Sequence, residues 1–312
     1  MAMAVAFAPN VAAAPDGVPP AVVPLAQGPR QTDHLAAARY LDAHPDSVPL
    51  GVNNFDCRPT AAHPRPVVLV HGTDSSAYSD WAAIGPQLVD AGMCVFALNY
   101  GGAPGADTYG TEDMRVSFAQ LSAFVDDVLA RTGATKVDLV GFSQGATVSR
   151  FYVNKLGGAA KVDRWVGVAS PTYGGVMYGL MPLGQAVPGL LTVYEKVTSV
   201  AAVQQGQGQP IMVELNAGGD TVPGVRYTTI GSRVDEMIQP FDSIALRGPG
   251  ATNLVLQDLC PVDMTGHFHM VYDPFVAQLV RKTLDPDNAP APVCVPVALG
   301  TGIPEVIIAG NS

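Results

Sequence analysis

Ser143 is the first candidate for chemistry, because it stands at the centre of a Gly-x-Ser-x-Gly motif with Gly141 and Gly145. An apolar run with β-branched residues over 137–140 precedes the motif, and a helix-compatible stretch over 146–156 follows it. Strand, sharp turn and helix form the context of a nucleophile elbow, which lifts a serine hydroxyl clear of a sheet edge. The alternative is an ordinary turn, since Gly and Ser are common in turns. We favour the elbow.

A serine hydroxyl is a poor nucleophile until a base removes its proton, and imidazole is the usual base near neutral pH. Three of the six histidines lie before the core and a fourth follows the first core strand: His34, His44, His63 and His71. We interpret His71 as structural. The order serine, acid, histidine places the base late in the chain. We therefore predict His267 as the base, with His269 as the alternative.

The acid that orients an imidazole is a carboxylate, expected on the loop after the penultimate strand. The loop after the predicted strand 226–230 contains Asp235, which is our candidate. Glu236 is a close competitor and Asp220 a distant one. Most loop carboxylates are merely solvated, so Asp235 depends on its position relative to the strand and to His267.

An attacked carbonyl becomes an oxyanion, which needs preorganised N–H donors. In an elbow, one donor is the backbone N–H of the residue after the nucleophile, here Gln144. The other comes from the loop after the first core strand, His71-Gly72-Thr73, and we predict the Thr73 N–H.

Strands and helices must bring these residues together. Apolar runs predict strands over residues 66–72, 93–98, 137–140, 165–169, 211–215, 226–230 and 253–257. Helical patterns occupy residues 33–43, 81–91, 112–131, 146–156 and 275–284, with Asp80 as the cap of the second helix. Apolar strands separated by helices predict an α/β fold with a mostly parallel sheet covered on both faces.

The chain shows no internal repeat and no linker, so we predict one α/β domain over residues 61–312 after an irregular N-terminal arm over 15–60. The stretch 172–209 is an insertion rich in Gly, Met and Tyr above the carboxyl ends of the strands. It is a flap or acyl-chain wall, or else an ordinary crossover helix, and periodicity cannot separate these readings.

Composition limits the class of protein. The chain is 48% hydrophobic and 14% charged, with a formal net charge of −10 and a pI near 4.9. This balance argues against a nucleic-acid partner, and no later apolar run is suited to span a bilayer. Residues 1–14 are apolar and end in small residues, which favours a signal-peptide remnant, and hence export, over a disordered tail.

The four cysteines allow two disulfides in three connectivities if the protein is exported. We predict that neighbours pair, Cys57 with Cys94 and Cys260 with Cys294. Buried free thiols are the alternative for a protein that stays in the cytosol. No C-x-x-C motif supports a zinc ribbon.

Several motifs together point to a family. They are Pro66–Gly72 with Thr73, Asn99-Tyr100-Gly101, the 141–145 elbow, Tyr227–Ile230 with Asp235, and His267 with Val271-Tyr272-Asp273-Pro274. From about Cys57 to Cys294, this ordered set resembles the secreted bacterial, actinobacterial-type triacylglycerol lipases and esterases (class 2 lipases) of the α/β-hydrolase superfamily.

The resemblance implies an α/β-hydrolase fold, export, ester hydrolysis and acyl chains bound in an apolar cleft. It implies a triad of Ser143, Asp235 and His267, with the Thr73 and Gln144 N–H groups as oxyanion donors. The chain departs from the pattern twice, because Phe142 stands where such lipases usually have His and Gly266 where relatives often have Asp. Some relatives bind calcium, but the nearby carboxylates Asp258 and Asp263 are too few for us to predict a metal site.

We therefore hypothesise a secreted serine ester hydrolase acting on acylglycerols, at a lipid–water interface, without a cofactor. Short-chain ester, thioester or polyester hydrolysis is an alternative that keeps the triad. A non-catalytic binding protein of the cell envelope is another, since a fold does not dictate a function. The oligomeric state is not indicated.

Overall fold

A parallel sheet forms the centre of this computed structural model, which describes residues 17–186, 191, 195–196 and 198–310. The strands are β1 (Ala26–Gly28), β2 (Ser47–Pro49), β3 (Val67–Val70), β4 (Val95–Leu98), β5 (Val137–Phe142), β6 (Val162–Val168), β7 (Arg226–Gly231) and β8 (Thr252–Val255). β3 to β8 form a six-stranded sheet in the order β4-β3-β5-β6-β7-β8, and every neighbouring pair in it is parallel. The predicted α/β fold class is confirmed. The predicted signal remnant, 1–14, lies outside the described residues.

Helices cover both faces of this sheet. The α-helices of the described residues are α1 (His34–Ala43), α2 (Ala77–Trp81), α3 (Ile84–Asp90), α4 (Met114–Thr132), α5 (Gln144–Lys155), α6 (Met181–Ala186), α7 (Val200–Gln204), α8 (Pro210–Asn216), α9 (Leu256–Leu259), α10 (Pro274–Leu284) and α11 (Ile303–Ala309). On β3, Val67 and Leu69 belong to the core cluster that includes α3 and α10, whereas Val68 and Val70 belong to the cluster that includes α4 and α5. Successive side chains of a strand point to opposite faces, so a fully apolar strand is one buried on both.

The N-terminal arm is more ordered than predicted. α1 begins after Asp33, whose side chain accepts the N–H of Ala36 at 2.8 Å, as the sequence pattern indicated. β1 and β2, however, form a short parallel pair that an irregular arm does not include. Val48 and Val52 are buried in the same core cluster as Leu69, so the arm shares the core of the sheet.

The predicted helix over 81–91 is wrong in its bounds and in its cap. α2 is capped by Ser76, whose hydroxyl accepts the N–H of Ser79 while the hydroxyl of Ser79 accepts the N–H of Ser76. α3 is a separate helix beginning at Ile84. Asp80 caps neither helix. It is buried, and its carboxylate accepts the N–H of Gly72 at 2.6 Å.

The predicted strand over 211–215 is a helix, α8. Pro210 occupies its first turn, where a missing N–H does no harm, and Ile211, Met212 and Leu215 are the buried residues at helical spacing. A five-residue apolar run does not by itself distinguish strand from helix. The predicted strand over 253–257 ends earlier, at Val255, where α9 takes over.

The insertion over 172–209 contains α6, α7 and the 3-10 turn Met177–Gly179. Met181 and Val203 pack with Ile238 and Ile244, which belong to the segment after β7. Residues 187–190, 192–194 and 197 lie outside the described residues, so the choice between a flap and a crossover helix stays a prediction.

Two disulfides have the predicted pairing. Cys57 joins Cys94 with a Cα–Cα distance of 5.7 Å, and Cys260 joins Cys294 at 5.2 Å. Among the helices of the described residues, none has the length and apolar character needed to cross a membrane.

Candidate active site

Ser143 lies at the turn between β5 and α5 in a conformation that L residues rarely adopt, with φ 49° and ψ −119°. Its N–H donates to the carbonyl of Val168 on the neighbouring strand at 2.9 Å. The turn therefore stands at the carboxyl end of the sheet, held to the next strand. This is the geometry expected of a nucleophile elbow.

The two glycines of the motif are required by close backbone contacts. A Cβ at Gly141 would lie 2.4 Å from the carbonyl oxygen of Gly145, and a Cβ at Gly145 would lie 2.0 Å from the carbonyl oxygen of Val70. Both distances are far below van der Waals contact, and the obstructing atoms are backbone. A side chain at either position would therefore displace the helix from the sheet.

His267 lies between Ser143 and Asp235. Its Nε2 is 3.1 Å from the Oγ of Ser143, and its Nδ1 is 2.9 Å from the Oδ2 of Asp235. A carboxylate accepts, so Nδ1 carries the proton of a neutral ring and Nε2 is left to accept from the hydroxyl. The three predicted residues are thus linked by hydrogen bonds, although Ser143 lies 124 positions and Asp235 32 positions before His267 in the sequence.

Asp235 is fixed by the backbone that follows it. Its Oδ1 accepts the N–H groups of Met237 and Ile238 at 2.8 and 2.7 Å, which leaves Oδ2 to face the imidazole. The distant competitor Asp220 lies elsewhere, accepting from the Tyr173 hydroxyl and from the Arg247 N–H. The other competitor, Glu236, accepts the backbone N–H of His267 and does not contact its ring nitrogens.

The protonation of His267 reflects opposing effects. Burial alone would lower the pKa of this imidazole, but the charge and hydrogen bond of Asp235, with further charge from Glu236 and Asp80, raise the pKa above its ordinary value. A raised pKa makes the ring a stronger proton acceptor. The alternative base, His269, lies against Gly302, just before α11. A Cβ added to Gly302 would be 3.1 Å from the Cβ of His269.

His71 is buried beside the same edge of the sheet, in a different environment. Its Nδ1 donates to the carbonyl of Gly72 at 2.7 Å, its Nε2 accepts the N–H of Tyr100 at 3.3 Å, and its ring stacks on that of Tyr100. Burial lowers its pKa to about 4, against a smaller raising effect of the Gly72 carbonyl. The ring is therefore neutral near pH 7 and braces the loop that leads to Thr73.

The predicted oxyanion donors lie at the two chain turns beside Ser143. Gln144 is the first residue of α5, so its N–H has no acceptor within the helix. Thr73 follows Gly72, whose own N–H is taken by Asp80. The hydroxyl of Thr73 accepts from Nε2 of Gln205 at 3.0 Å, a contact from the insertion that the sequence did not reveal.

A cleft of about 330 Å³ opens at Ser143 and His267. One part of its lining is apolar and includes Phe142, Val176, Met237, Ile238, Val271 and Val306. Another part is polar and includes His34, Thr73, Asp80, Ser199 and Gln205. A cavity of about 390 Å³ beside Tyr173 and Arg247 includes none of the three hydrogen-bonded residues, so the chemistry belongs to the smaller cleft.

The chain is similar to known lipases in sequence and in fold. A family model for class 2 lipases matches residues 64–280 of this chain. The chain belongs to the class 2 lipase family. Curated triacylglycerol lipases from Pseudarthrobacter phenanthrenivorans and Burkholderia plantarii are each 41% identical to it over 96 residues, 29% of this chain.

The aligned segment covers 28% and 25% of those two relatives, so the chain matches about a quarter of their length. Aspergillus fumigatus lipase B has a TM-score of 0.59 at 20% identity, over 81% of this chain and 62% of that one. A mature Bacillus licheniformis lipase has a TM-score of 0.54 at 19% identity, over 73% and 94%. Together with the parallel sheet, these similarities show the α/β-hydrolase fold.

This class 2 lipase family member has a phenylalanine before its elbow serine. The ring of Phe142 lies 5.1 Å from that of His267, centroid to centroid, and also lines the cleft. It therefore packs against the imidazole without offering a proton. Among the described residues, no group of three His, Cys, Asp or Glu side chains is placed to hold a metal, and Asp258 pairs with Arg233.

Proposed function

We propose that this chain is a serine ester hydrolase that cleaves acylglycerols through an acyl-enzyme. One observation carries the proposal: the Ser143 hydroxyl lies 3.1 Å from His267 Nε2, and His267 Nδ1 lies 2.9 Å from Asp235. A hydroxyl, an imidazole and a carboxylate that are hydrogen-bonded in this order can activate the hydroxyl near neutral pH. Membership of the class 2 lipase family supports ester hydrolysis as the reaction.

In the first half of the reaction, Ser143 Oγ attacks the ester carbonyl carbon while His267 Nε2 accepts its proton. The negative charge that develops on the carbonyl oxygen is stabilised by the N–H groups of Thr73 and Gln144. Asp235 keeps the Nδ1 proton in place and stabilises the imidazolium. The imidazolium then returns its proton to the alkoxide oxygen as the ester C–O bond breaks, and the alcohol leaves.

In the second half, water attacks the acyl-enzyme and His267 Nε2 accepts the proton of that water. The same oxyanion donors stabilise the second intermediate. The bond between the acyl carbon and Ser143 Oγ breaks, the serine recovers a proton from the imidazolium, and a carboxylic acid is released. The cycle consumes one water per ester and needs no oxidant or cofactor.

The apolar lining of the cleft supports an acyl chain as the group bound beside Ser143. Its polar lining, next to Thr73 and Gln205, is suited to the ester and to a hydroxylated alcohol. We infer export to the cell envelope or beyond, because two disulfides suit an oxidising compartment. In a reducing compartment the four cysteines would be free thiols, and this reason for inferring export would not apply.

The test is turnover of p-nitrophenyl butyrate and palmitate by wild type, Ser143→Ala and, as a matched control on α4, Ser122→Ala. We expect Ser143→Ala to lose about 10⁴-fold or more in kcat and Ser122→Ala to behave as wild type. The ratio of the two rates separates a lipase from a short-chain esterase. A fluorophosphonate that fails to label Ser143 in the folded wild-type protein would favour the non-catalytic binding protein instead.

A further inference from the structure

Two consecutive carboxylates contact opposite ends of one residue. Asp235 accepts from the ring of His267, and Glu236 accepts from its backbone N–H. Both acids belong to the turn that follows β7, where Asp235 Oδ1 accepts the N–H groups of Met237 and Ile238 and so fixes the backbone. A single turn therefore fixes both the imidazole and the chain that bears it.

The backbone contact takes the place of a helix cap. His267 begins the 3-10 helix His267–His269, and the preceding Gly266 offers no side chain to cap it. An N–H at the start of a helix has no acceptor within the helix. Glu236 supplies that acceptor from another part of the chain, 31 positions away.

Gly266 is required by space and not by its backbone conformation, since φ −95° and ψ −173° are open to any residue. A Cβ at this position would lie 2.1 Å from Oε1 and 2.2 Å from Oε2 of Glu236. The carboxylate thus fills the volume that a side chain at 266 would need. Oε1 is itself buried and has no hydrogen-bond partner in the described part of the chain.

We propose that Glu236 is a positioning residue for the base, one that holds the His267 backbone so that Nε2 faces Ser143, and that Gly266 exists to admit its carboxylate. The inference rests on the proposed function, because it assigns to Glu236 a role in that reaction. Glu236 acts through His267 and is not among the residues that line the cleft at Ser143.

The charge of Glu236 has a second consequence. Asp235 contacts the His267 ring and Glu236 contacts its backbone, and Asp80, which lines the same cleft, acts on the ring through its charge. Each raises the pKa of His267 against the effect of burial. Neutralising Glu236 therefore lowers that pKa, so the base stays neutral, and active, to lower pH.

The experiment compares Glu236→Gln, Glu236→Ala, Gly266→Ala and the double variant Glu236→Ala/Gly266→Ala. Glu236→Ala removes acceptor and charge, and we expect kcat to fall about 10- to 100-fold with KM little changed, because the base is misplaced. Glu236→Gln keeps an oxygen for the His267 N–H and retains more of kcat than the alanine variant. In both, the acid limb of the kcat/KM profile moves to lower pH.

Gly266→Ala tests the spatial part. We expect a loss of kcat when Glu236 is present, and little further loss on the Glu236→Ala background, where the space is free. Such non-additivity is the signature of direct contact. Asp287→Asn is the matched control, because it removes an exposed carboxylate beyond α10 and should leave rate and pH profile unchanged.

A Glu236→Ala enzyme with the wild-type kcat and acid limb would overturn the proposal, and so would equal effects of Gly266→Ala on both backgrounds. If Glu236→Ala does not fold, the isosteric Glu236→Gln decides through its acid limb. Titration of the His267 ring by NMR needs no turnover. It therefore distinguishes failure of the Glu236 proposal from failure of the proposed function. A Glu236→Gln ring that titrates as in wild type refutes the contact even if the chain hydrolyses nothing.

Discussion

Two buried histidines at the same edge of the sheet have opposite electrostatic settings. His71, after β3, is bonded to one backbone carbonyl and one backbone N–H, and its pKa is lowered to about 4. His267, before α10, faces carboxylates, and its pKa is raised. Burial disfavours the charged form of both rings. The difference comes from their partners: burial is common to both rings, whereas of the two only His267 has a carboxylate on one ring nitrogen and a hydroxyl on the other.

The largest effect should come from removing each ring in turn. We expect His267→Asn to lower kcat by about 10⁴- to 10⁶-fold with a folded protein, because the hydroxyl loses its base. His71→Asn should lower the free energy of unfolding by about 1–3 kcal/mol, since buried hydrogen bonds are broken, and reduce kcat much less. Steady-state kinetics and urea unfolding measure the two quantities. A His71→Asn enzyme as inactive as His267→Asn would erase the distinction.

One disulfide lies near His71 and the other lies near His267. Cys94 lies just before β4, beside β3 and the His71 loop, whereas Cys260 precedes the segment that leads to His267. Removing either pair as a double serine variant should lower the free energy of unfolding by about 3–4 kcal/mol, because the loops closed are 37 and 34 residues long. Loss of activity below the melting temperature is expected only without Cys260–Cys294, and thermal inactivation followed alongside circular dichroism tests this.

The smallest expected effect is a shift of the pH profile of kcat/KM. Only neutral His267 accepts a proton, so kcat/KM should fall as the pH falls through its pKa, and that limb should lie above the value of a free histidine side chain. The ring of His71 should keep its neutral NMR signals between about pH 5 and 8. An acid limb below the free-histidine value would mean that burial outweighs Asp235.

Elements with strong local signals were predictable from the sequence. The elbow needed only an apolar strand, two glycines and a helix, and the observed β5 and α5 follow that reading within two residues. Segment 211–215 was not predictable, because a five-residue apolar run fits a buried strand as well as a short helix. The Asp80 cap failed because Ser76 and Ser79 offered a better local cap, which left the carboxylate free for the Gly72 N–H.

Which of several similar side chains belongs to the site could not be predicted from the local sequence either. His267 and His269 are two positions apart, and Asp235 and Glu236 are adjacent, so spacing alone left both pairs open. Gln205, the residue that follows α7 in the insertion, donates to Thr73 across 132 positions, and no sequence pattern indicates that contact.

The sequence by itself determined the parallel α/β architecture and the strained turn at Ser143, because strand periodicity and glycine sterics act over short distances. Only the tertiary structure decided which imidazole meets the serine, which carboxylate meets its ring and which meets its backbone. Those contacts join residues 31 to 124 positions apart, and side-chain identity carries no information about distances that the packing of whole strands and helices sets.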